Sequence, residues 1–445
     1  MRYYIETYGC AANEFDSLVI SDFLEKEGWE RSDLNGSDLI VINTCGVKKP
    51  TEDKILYRLK EINALNKKVV VAGCLTRIDP EALKAVGFNV AIDVRSLNRI
   101  GEAAESALKG AKNEFIQSDK NFDKVAFLAK KLTETIGVIE VQEGCAYNCS
   151  YCATKISRGS AFSFPDSSIL RSVSELVRKG AVEIWLTGQD VAAYRYEKKD
   201  LADLLMEIDT VDKDFYVRVG MSTPPFFKGI AEKLLRSYPK KAYRFFHIPV
   251  QSGSDRVLLD MKRGYRASLF EDLVRKVRSF FPDATIETDI IVGYPTETEE
   301  DFEETIELLN RTRPNVVNIS KFWKRPNTEA SKLKELDSKV VAERSKRAYE
   351  LILQIMKEEN QKWIGWEGEA LVTEKSEKRT GWKARNTAYK QIIIESERML
   401  LGKKVLVKVH GSDPVNLYAR PLYVIDEQES ITDNTSFSLS SKSVN

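Results

Sequence analysis

A chain of 445 residues is longer than one hydrophobic core supports and should divide into two to four domains. Its charged residues, 30% of the total, cancel to a net +1, which excludes a globally basic nucleic-acid binder and leaves that role to a local patch. No apolar run approaches the roughly 18 residues that span a bilayer, and Met1 to Gly9 lacks a signal core, so a soluble protein of a reducing, cytoplasmic compartment is expected, where cysteines are more often metal ligands than disulfides.

Residues 1–110 alternate strand and helix patterns. Arg2 to Tyr8, Asp38 to Asn43, Lys68 to Ala72 and Asn89 to Val94 read as strands, and Asn13 to Glu27, Thr51 to Leu65, Pro80 to Val86 and Leu97 to Lys109 have helical spacing. The alternation predicts a doubly wound α/β domain with a mainly parallel sheet. Cys10, Cys45 and Cys74 each fall just after a strand, on the sheet edge where such folds bind ligands. Any one of them alone would read as core filler; three at equivalent positions point to a shared metal centre.

Residues 111–135, of mixed charge and little periodicity, read as a linker packing on the next domain. From 136 to 334 the alternation resumes, with strands predicted at Ile136 to Val141, Val182 to Thr187, Phe215 to Gly220, Arg244 to Pro249, Thr285 to Val292 and Val316 to Phe322. Six βα units fall short of the eight of a closed barrel and imply an open, partial one. Residues 335–364 form a charged connecting helix. Residues 365–424 change to alternating runs, Glu369 to Thr373, Gln391 to Glu395 and Lys404 to Val409, of a small β-barrel. Lys362 to Arg420 holds twelve Lys or Arg against seven Asp or Glu, and Trp382 and Tyr389 lie among Lys378, Arg379, Lys383, Arg385 and Lys390, a pattern suited to phosphate contact and base stacking. A solvated β-surface is the plain alternative. The polar, Ser-rich tail, 425–445, is expected to be disordered.

The chemistry centres on Gly144-Cys145-Ala146-Tyr147-Asn148-Cys149-Ser150-Tyr151-Cys152, which directly follows the first barrel strand. Three cysteines in a CxxxCxxC array converge on one metal and leave a four-ligand site one ligand short. A zinc site would need a fourth Cys or His, with only two His in the chain, and buried thiols are the other reading. A [4Fe-4S] cluster on three cysteines would leave one iron open. The array is a signature of the radical S-adenosylmethionine (SAM) enzymes, which this segment resembles. With Cys10, Cys45 and Cys74, all six cysteines fall into two groups of three, which suggests two such clusters.

Across nearly the whole chain the sequence resembles the radical SAM methylthiotransferases, whose order is an N-terminal cluster domain, a radical SAM partial barrel and a C-terminal TRAM β-barrel. The resemblance rests on Gly9-Cys10 with Asn13, Asp16 and Ser17, on Ala72-Gly73-Cys74, on Phe246-His247-Ile248-Pro249-Val250-Gln251-Ser252-Gly253-Ser254, on Met261 to Tyr265 and on Thr288 to Glu297. Asn43-Thr44-Cys45-Gly46-Val47-Lys48-Lys49-Pro50-Thr51-Glu52 is most similar to the archaeal and eukaryotic branch that acts on N6-threonylcarbamoyladenosine (t6A) 37 in the tRNA anticodon loop.

That resemblance implies two [4Fe-4S] clusters and SAM as cofactors, a sulfur source and an electron donor as partners, and no membrane or DNA. SAM would chelate the open iron of the Cys145, Cys149, Cys152 cluster, be split to a 5′-deoxyadenosyl radical, and serve again as methyl donor; the sulfur inserted at C2 would be an extra one held on the open iron of the second cluster, or one derived from that cluster. Tyr151 is placed to contact the adenine, and Thr187, Gly188 and Gln189 end the second barrel strand where the superfamily meets the methionine amino group, although this chain departs from Gly-Gly-Glu there. Ser222, Gln251, Arg263 and Gly293 are further candidates for SAM or substrate contact, with Arg263, Asp289 and Gln189 the candidates for catalysis. Lys48, Lys49, Lys324 and Arg325 are candidates for the threonyl carboxylate. Alternatives are a methylthiotransferase for N6-isopentenyladenosine or for a ribosomal-protein aspartate and, in another class, a non-catalytic iron-sulfur RNA-binding protein.

Overall fold

The structure is a computed structural model and describes residues 1–47, 49–127, 130–377 and 380–425; Lys48, Lys378, Arg379 and residues 426–445 of the tail lie outside the described residues. The chain divides into two units, one ending at Met356 and one beginning at Lys357.

Strands β1 (Arg2–Thr7), β2 (Glu30–Arg31), β3 (Leu39–Thr44), β4 (Lys68–Gly73), β5 (Val90–Ile92) and β6 (Glu114–Ile116) pair in parallel in the order β2-β1-β3-β4-β5-β6. Helices α1 (Ala11–Lys26), α2 (Lys49–Asn63), α3 (Leu75–Ile78), α4 (Pro80–Val86) and α5 (Ile100–Leu108) alternate with them. The central strands are buried on both faces, which is why β3 reads Leu-Ile-Val-Ile with no polar alternation. On one face Val41 and Val70 meet Phe15, Val19 and Ala103 of α1 and α5; on the other Ile40, Ile42 and Val69 meet Ile55, Leu59 and Leu83 of α2 and α4. Helix α4 begins where Asp79 accepts a hydrogen bond from the Ala82 N–H at 3.0 Å and Pro80 occupies the first turn.

Segment 111–135 is less open than its composition implies. It contributes β6 to the sheet edge and a 3-10 turn, Lys124–Phe127, that lies on the barrel: the Ser172 hydroxyl donates to the Val125 carbonyl at 3.0 Å.

The barrel follows as β7 (Ile136–Glu143), α6 (Thr154–Arg158), β8 (Phe162–Ser163), α7 (Asp166–Arg178), β9 (Glu183–Gly188), a hairpin of β10 (Arg195–Tyr196) and β11 (Lys199–Asp200), α8 (Leu201–Asp209), β12 (Tyr216–Val219), α9 (Pro224–Arg236), β13 (Phe245–His247), α10 (Asp255–Asp260), α11 (Ala267–Phe280), β14 (Thr285–Val292), α12 (Glu299–Thr312), β15 (Val316–Lys321) and α13 (Ser338–Gln361). Six parallel strands run β7-β9-β12-β13-β14-β15, with β8 antiparallel on the outer edge of β7 and a single bridge, Val217 to Ala242, joining the two sheets. The open, six-stranded barrel expected from the sequence is the one observed. Its core is continuous with one face of the first sheet. Helix α1 lies between them, which explains polar Asn13, Asp16 and Ser17 among its buried residues.

In the second unit β16 (Glu367–Lys375), β17 (Trp382–Arg385), β18 (Gln391–Ile394), β19 (Lys404–Ser412) and β20 (Leu417–Val424) close into a barrel ordered β16-β17-β18-β20-β19. The placement of Trp382 corrects the stacking surface read from the sequence. Strand β17 alternates with Trp382 and Ala384 inward, so Trp382 is a core residue whose indole N–H donates to the Arg398 carbonyl at 2.8 Å. Lys390 is buried as well, donating to the Asn360 amide oxygen at 3.1 Å. Tyr389, half-buried under the Arg385 guanidinium at 4.9 Å, is the aromatic left at that surface.

Candidate functional site

Cys10, Cys45 and Cys74 follow β1, β3 and β4, three adjacent strands of one parallel sheet, so strand spacing of about 5 Å brings the three loops together. A polar network fixes them. The Asn13 side chain accepts from the Cys10 N–H at 3.4 Å and donates to the Thr44 carbonyl at 3.1 Å; Asn43 donates to the Asn13 carbonyl and to the Ser17 hydroxyl, each at 2.8 Å; and Thr44 donates to the Ala72 carbonyl at 2.6 Å. Gly73 stands at φ +96°, where a Cβ would lie 2.4 Å from the Asn43 amide oxygen and 2.5 Å from the Thr44 carbonyl, so the approach of these loops requires glycine.

The second trio leaves the carboxyl end of β7. Cys74 and Ile78 of the first domain pack on Ala153 and Ile156 just after Cys152, so the two cysteine-bearing regions adjoin. All six cysteines are free. Each trio offers three thiolates, a donor set that would hold a [4Fe-4S] cluster and leave one iron open. Burial pushes the Cys45 and Cys145 thiols up to about 11, so a cationic metal centre is what would draw off their protons.

A cavity of about 480 Å³ opens at the carboxyl ends of the barrel strands. Of the residues singled out in the sequence, Cys145, Cys149, Cys152, Tyr151, Gln189, Gln251, Arg263, Asp289 and Arg325 line it. Arg263 is 5% exposed and donates to the Cys149 sulfur at 3.3 Å, the Pro249 carbonyl at 3.3 Å and the Tyr265 hydroxyl at 3.0 Å. Gln189 accepts from the Gly144 N–H at 2.6 Å and donates to Glu140 at 3.2 Å, bracing the residue before Cys145. Gln251 holds φ +74°, a left-handed backbone rare for such a residue, secured by its N–H on the Asp289 carbonyl and its own carbonyl on the Ile291 N–H.

Asp289 is gripped from two sides, by the His247 imidazole at 3.0 Å and the Asn318 amide at 2.8 Å. Burial pushes the His247 pKa down, but the hydrogen bond and charge of Asp289, with Glu287 beyond it, outweigh that and leave it raised. Asp190 beside Gln189 is buried, which pushes its carboxyl up to about 6 although it accepts from the Thr223 N–H and hydroxyl.

Other candidates sit elsewhere. Thr187 and Gly188 are packed into β9, with a Cβ at Gly188 falling 2.5 Å from the Gln142 carbonyl. Ser222 turns to the apolar pocket of Phe227 and Phe246, because its neighbours Met221 and Thr223 take the cavity side. Gly293, at φ +78°, lies under α13, where a Cβ would meet Val341 at 2.6 Å; that helix, not the cavity, accounts for the glycine. Cys10, Cys45 and Cys74 do not line the cavity, but Val47, two residues after Cys45, does. Lys49 is engaged by Glu52 and Asp53, and Lys324 lies off the cavity. Sequence reading missed Val47, Asn318, Lys321 and Trp323, whose place depends on how the last barrel strand meets the first domain.

Residues 139–309 match the Radical SAM superfamily, and residues 2–93 match the Uncharacterized protein family UPF0004. The chain is 39% identical over 416 residues to a probable threonylcarbamoyladenosine tRNA methylthiotransferase of Archaeoglobus fulgidus, covering 92% of this chain and 96% of that protein. It is 35% identical to the threonylcarbamoyladenosine tRNA methylthiotransferase of Drosophila pseudoobscura pseudoobscura, covering 92% and 75%. Among solved structures, the fold is similar to the radical S-adenosylmethionine methyltransferase TsrM from Kitasatospora setae, with TM-score 0.57 and 15% identity over 74% of each chain.

Proposed function

The chain belongs to the threonylcarbamoyladenosine tRNA methylthiotransferases of the radical SAM superfamily, and on that premise we propose how its own residues carry the reaction. It is an enzyme that adds a methylthio group at C2 of t6A37 in tRNA, with two [4Fe-4S] clusters and SAM as cofactors. The observation that carries the residue assignment is the pairing of two three-cysteine groups, one after three adjacent strands of the first sheet and one after the first barrel strand, adjoining through Cys74 and Ala153.

In this reading, residues 1–110 hold one cluster on Cys10, Cys45 and Cys74, and 136–334 hold the other on Cys145, Cys149 and Cys152. When bound, the barrel cluster supplies the electron that cleaves SAM reductively, and the first cluster supplies the site that presents sulfur to the base. Arg263 steadies Cys149 and keeps a fixed positive charge beside it, as its five-donor fork permits. Gln189 sets the backbone before Cys145, and Tyr151 offers the cavity an aromatic surface backed by Tyr294 and Phe322. Gln251 presents its side chain from a backbone held in one conformation. Asp289, clamped between His247 and Asn318, is the carboxylate placed to take up a proton in the cavity. The small barrel of 365–424, with its excess of basic residues, is assigned to tRNA contact. Six free cysteines and a pair of iron-sulfur clusters support a reducing, cytoplasmic setting, with an external electron donor and sulfur source.

The test is mass spectrometry of nucleosides from t6A37-containing tRNA incubated anaerobically with reconstituted enzyme, SAM and reductant. A methylthio gain on t6A, absent from N6-isopentenyladenosine tRNA, is expected. A Cys10→Ala variant should still release 5′-deoxyadenosine and make no methylthio product; product formation by that variant would refute the assignment of the first cluster.

A further inference from the structure

The cavity wall holds three cations among the described residues, Arg263, Lys321 and Arg325, and they differ in what they are already doing. Arg263 is committed to the Cys149 sulfur, the Pro249 carbonyl and Tyr265. Arg325 is 3% exposed and is clamped through its terminal nitrogen by Glu52 of α2, while its Nε–H, also buried, has no acceptor. Lys321 ends β15, opposite Val292 of β14, and is exposed, and its ammonium has no hydrogen bond or ion pair among the described residues. Two residues further on, Trp323 lies on the same wall with 42% of its surface exposed, although an indole of that size is ordinarily buried.

A free ammonium, a buried and unanswered guanidinium N–H and an exposed aromatic plane on one wall describe a ligand that is a flat ring with an anion at the end of a short arm. Resting on the function proposed above, we propose that Lys321 and Arg325 form the subsite for the threonyl carboxylate of t6A, with Trp323 beside the base. An acidic modification is then selected over an apolar one. An isopentenyl group would leave the ammonium desolvated without a partner and the Arg325 Nε–H still unanswered, a cost that discriminates more sharply than shape alone. Glu52 holds Arg325 in place from the first domain, so the subsite is complete only when that domain is docked on the barrel.

The experiment measures binding of a tRNA anticodon stem-loop carrying t6A37, or its methyl ester, to cluster-loaded wild-type enzyme and to Lys321→Met and Lys321→Arg variants. Iron content and visible absorption confirm that the clusters are intact. Wild type should bind the acid about tenfold or more tighter than the ester, the range of a charge-assisted hydrogen bond. Lys321→Met should lose most of the preference, keeping only what the Arg325 Nε–H supplies, and Lys321→Arg should recover much of it. Equal binding of acid and ester by wild type overturns the proposal, as does an undiminished preference in Lys321→Met. Wild-type enzyme that makes no methylthio product on t6A tRNA would instead refute the function itself, so the two failures are distinguishable.

Discussion

At the scale of single residues, the cysteine end of the site is organised by side chains that each serve several partners. Arg263 serves three acceptors with one planar fork. Replacing it with Met takes one donor from the Pro249 carbonyl and one from the Tyr265 hydroxyl, which remain bonded to each other, and removes the charge beside Cys149, so product formation should fall about a hundredfold, roughly 2–3 kcal/mol. Arg263→Lys should restore only part of this, since one ammonium cannot span the three positions. Initial rates at matched iron content decide it. His247 makes a pH prediction. Its pKa is raised in the folded protein, chiefly by Asp289, so its contribution to stability is fully present below the ordinary imidazole value and is lost as pH rises through the folded value. The thermal midpoint of wild type should therefore decline across that window while that of His247→Asn changes less; parallel curves would exclude the coupling. The six cysteines were legible in the sequence because spacing and strand ends carry the signal. Lys321 was not, because its freedom shows only against the commitments of Arg263 and Arg325 on the same cavity wall.

At the scale of elements, long apolar runs were legible and short edge pieces were not. The six barrel strands were read within two residues or so, since each is an apolar-rich run between helix patterns or loops, even where, as in β15, it is largely half-buried or exposed. Strands β2 and β6, of two and three residues, and helix α3, of four, are shorter than any period can register. In the small barrel β17 and β20 escaped notice, β17 because it is four residues with Lys383 and Arg385 alternating with Trp382 and Ala384, β20 because Arg420 and Pro421 interrupt its apolar run. Gly293 shows how an element can set a residue's identity from a distance. Read from sequence, it suggests close approach to a ligand; in the fold it admits α13, whose Val341 would lie 2.6 Å from a Cβ there. A Gly293→Ala change should cost about 1–3 kcal/mol, from a left-handed backbone and the clash together. Adding Val341→Ala should remove the clash and leave the backbone strain, so the double variant recovers only part of the loss in a denaturant titration. Full recovery would show that the positive φ contributes nothing.

At the scale of the whole molecule, a knot of buried charge fastens the first domain to the barrel within residues 1–356. Lys124 is fully buried and lies within hydrogen-bonding distance of Asp16 of α1 at 2.7 Å, Glu143 of β7 at 2.7 Å and Glu140 at 2.9 Å; Arg158 of α6 reaches the same three acids. Three carboxylates face two cations, and burial pushes the Glu143 carboxyl up, which brings the cluster closer to balance. A metal ion has no place there, because the two cations already answer the acids. Composition marked Lys124 only as part of a mixed-charge linker, since nothing in a local window reveals that its partners lie on a helix 108 residues away and a strand 19 residues on. Replacing Lys124 with Met strands acidic charge in the interior and should lower stability by about 3–5 kcal/mol, a large share of the roughly 5–15 kcal/mol typical of a folded protein. Exposed pairs lose their effect in salt, but these side chains are 2% exposed or less, so the loss should be the same in 0.1 M and 1 M NaCl. A Lys124→Met, Glu140→Gln double variant removes one of the stranded charges and should recover at least 1 kcal/mol in urea midpoint analysis. If the single variant costs less than about 1 kcal/mol, the interdomain fastening lies instead in the apolar contact of α1 with β7.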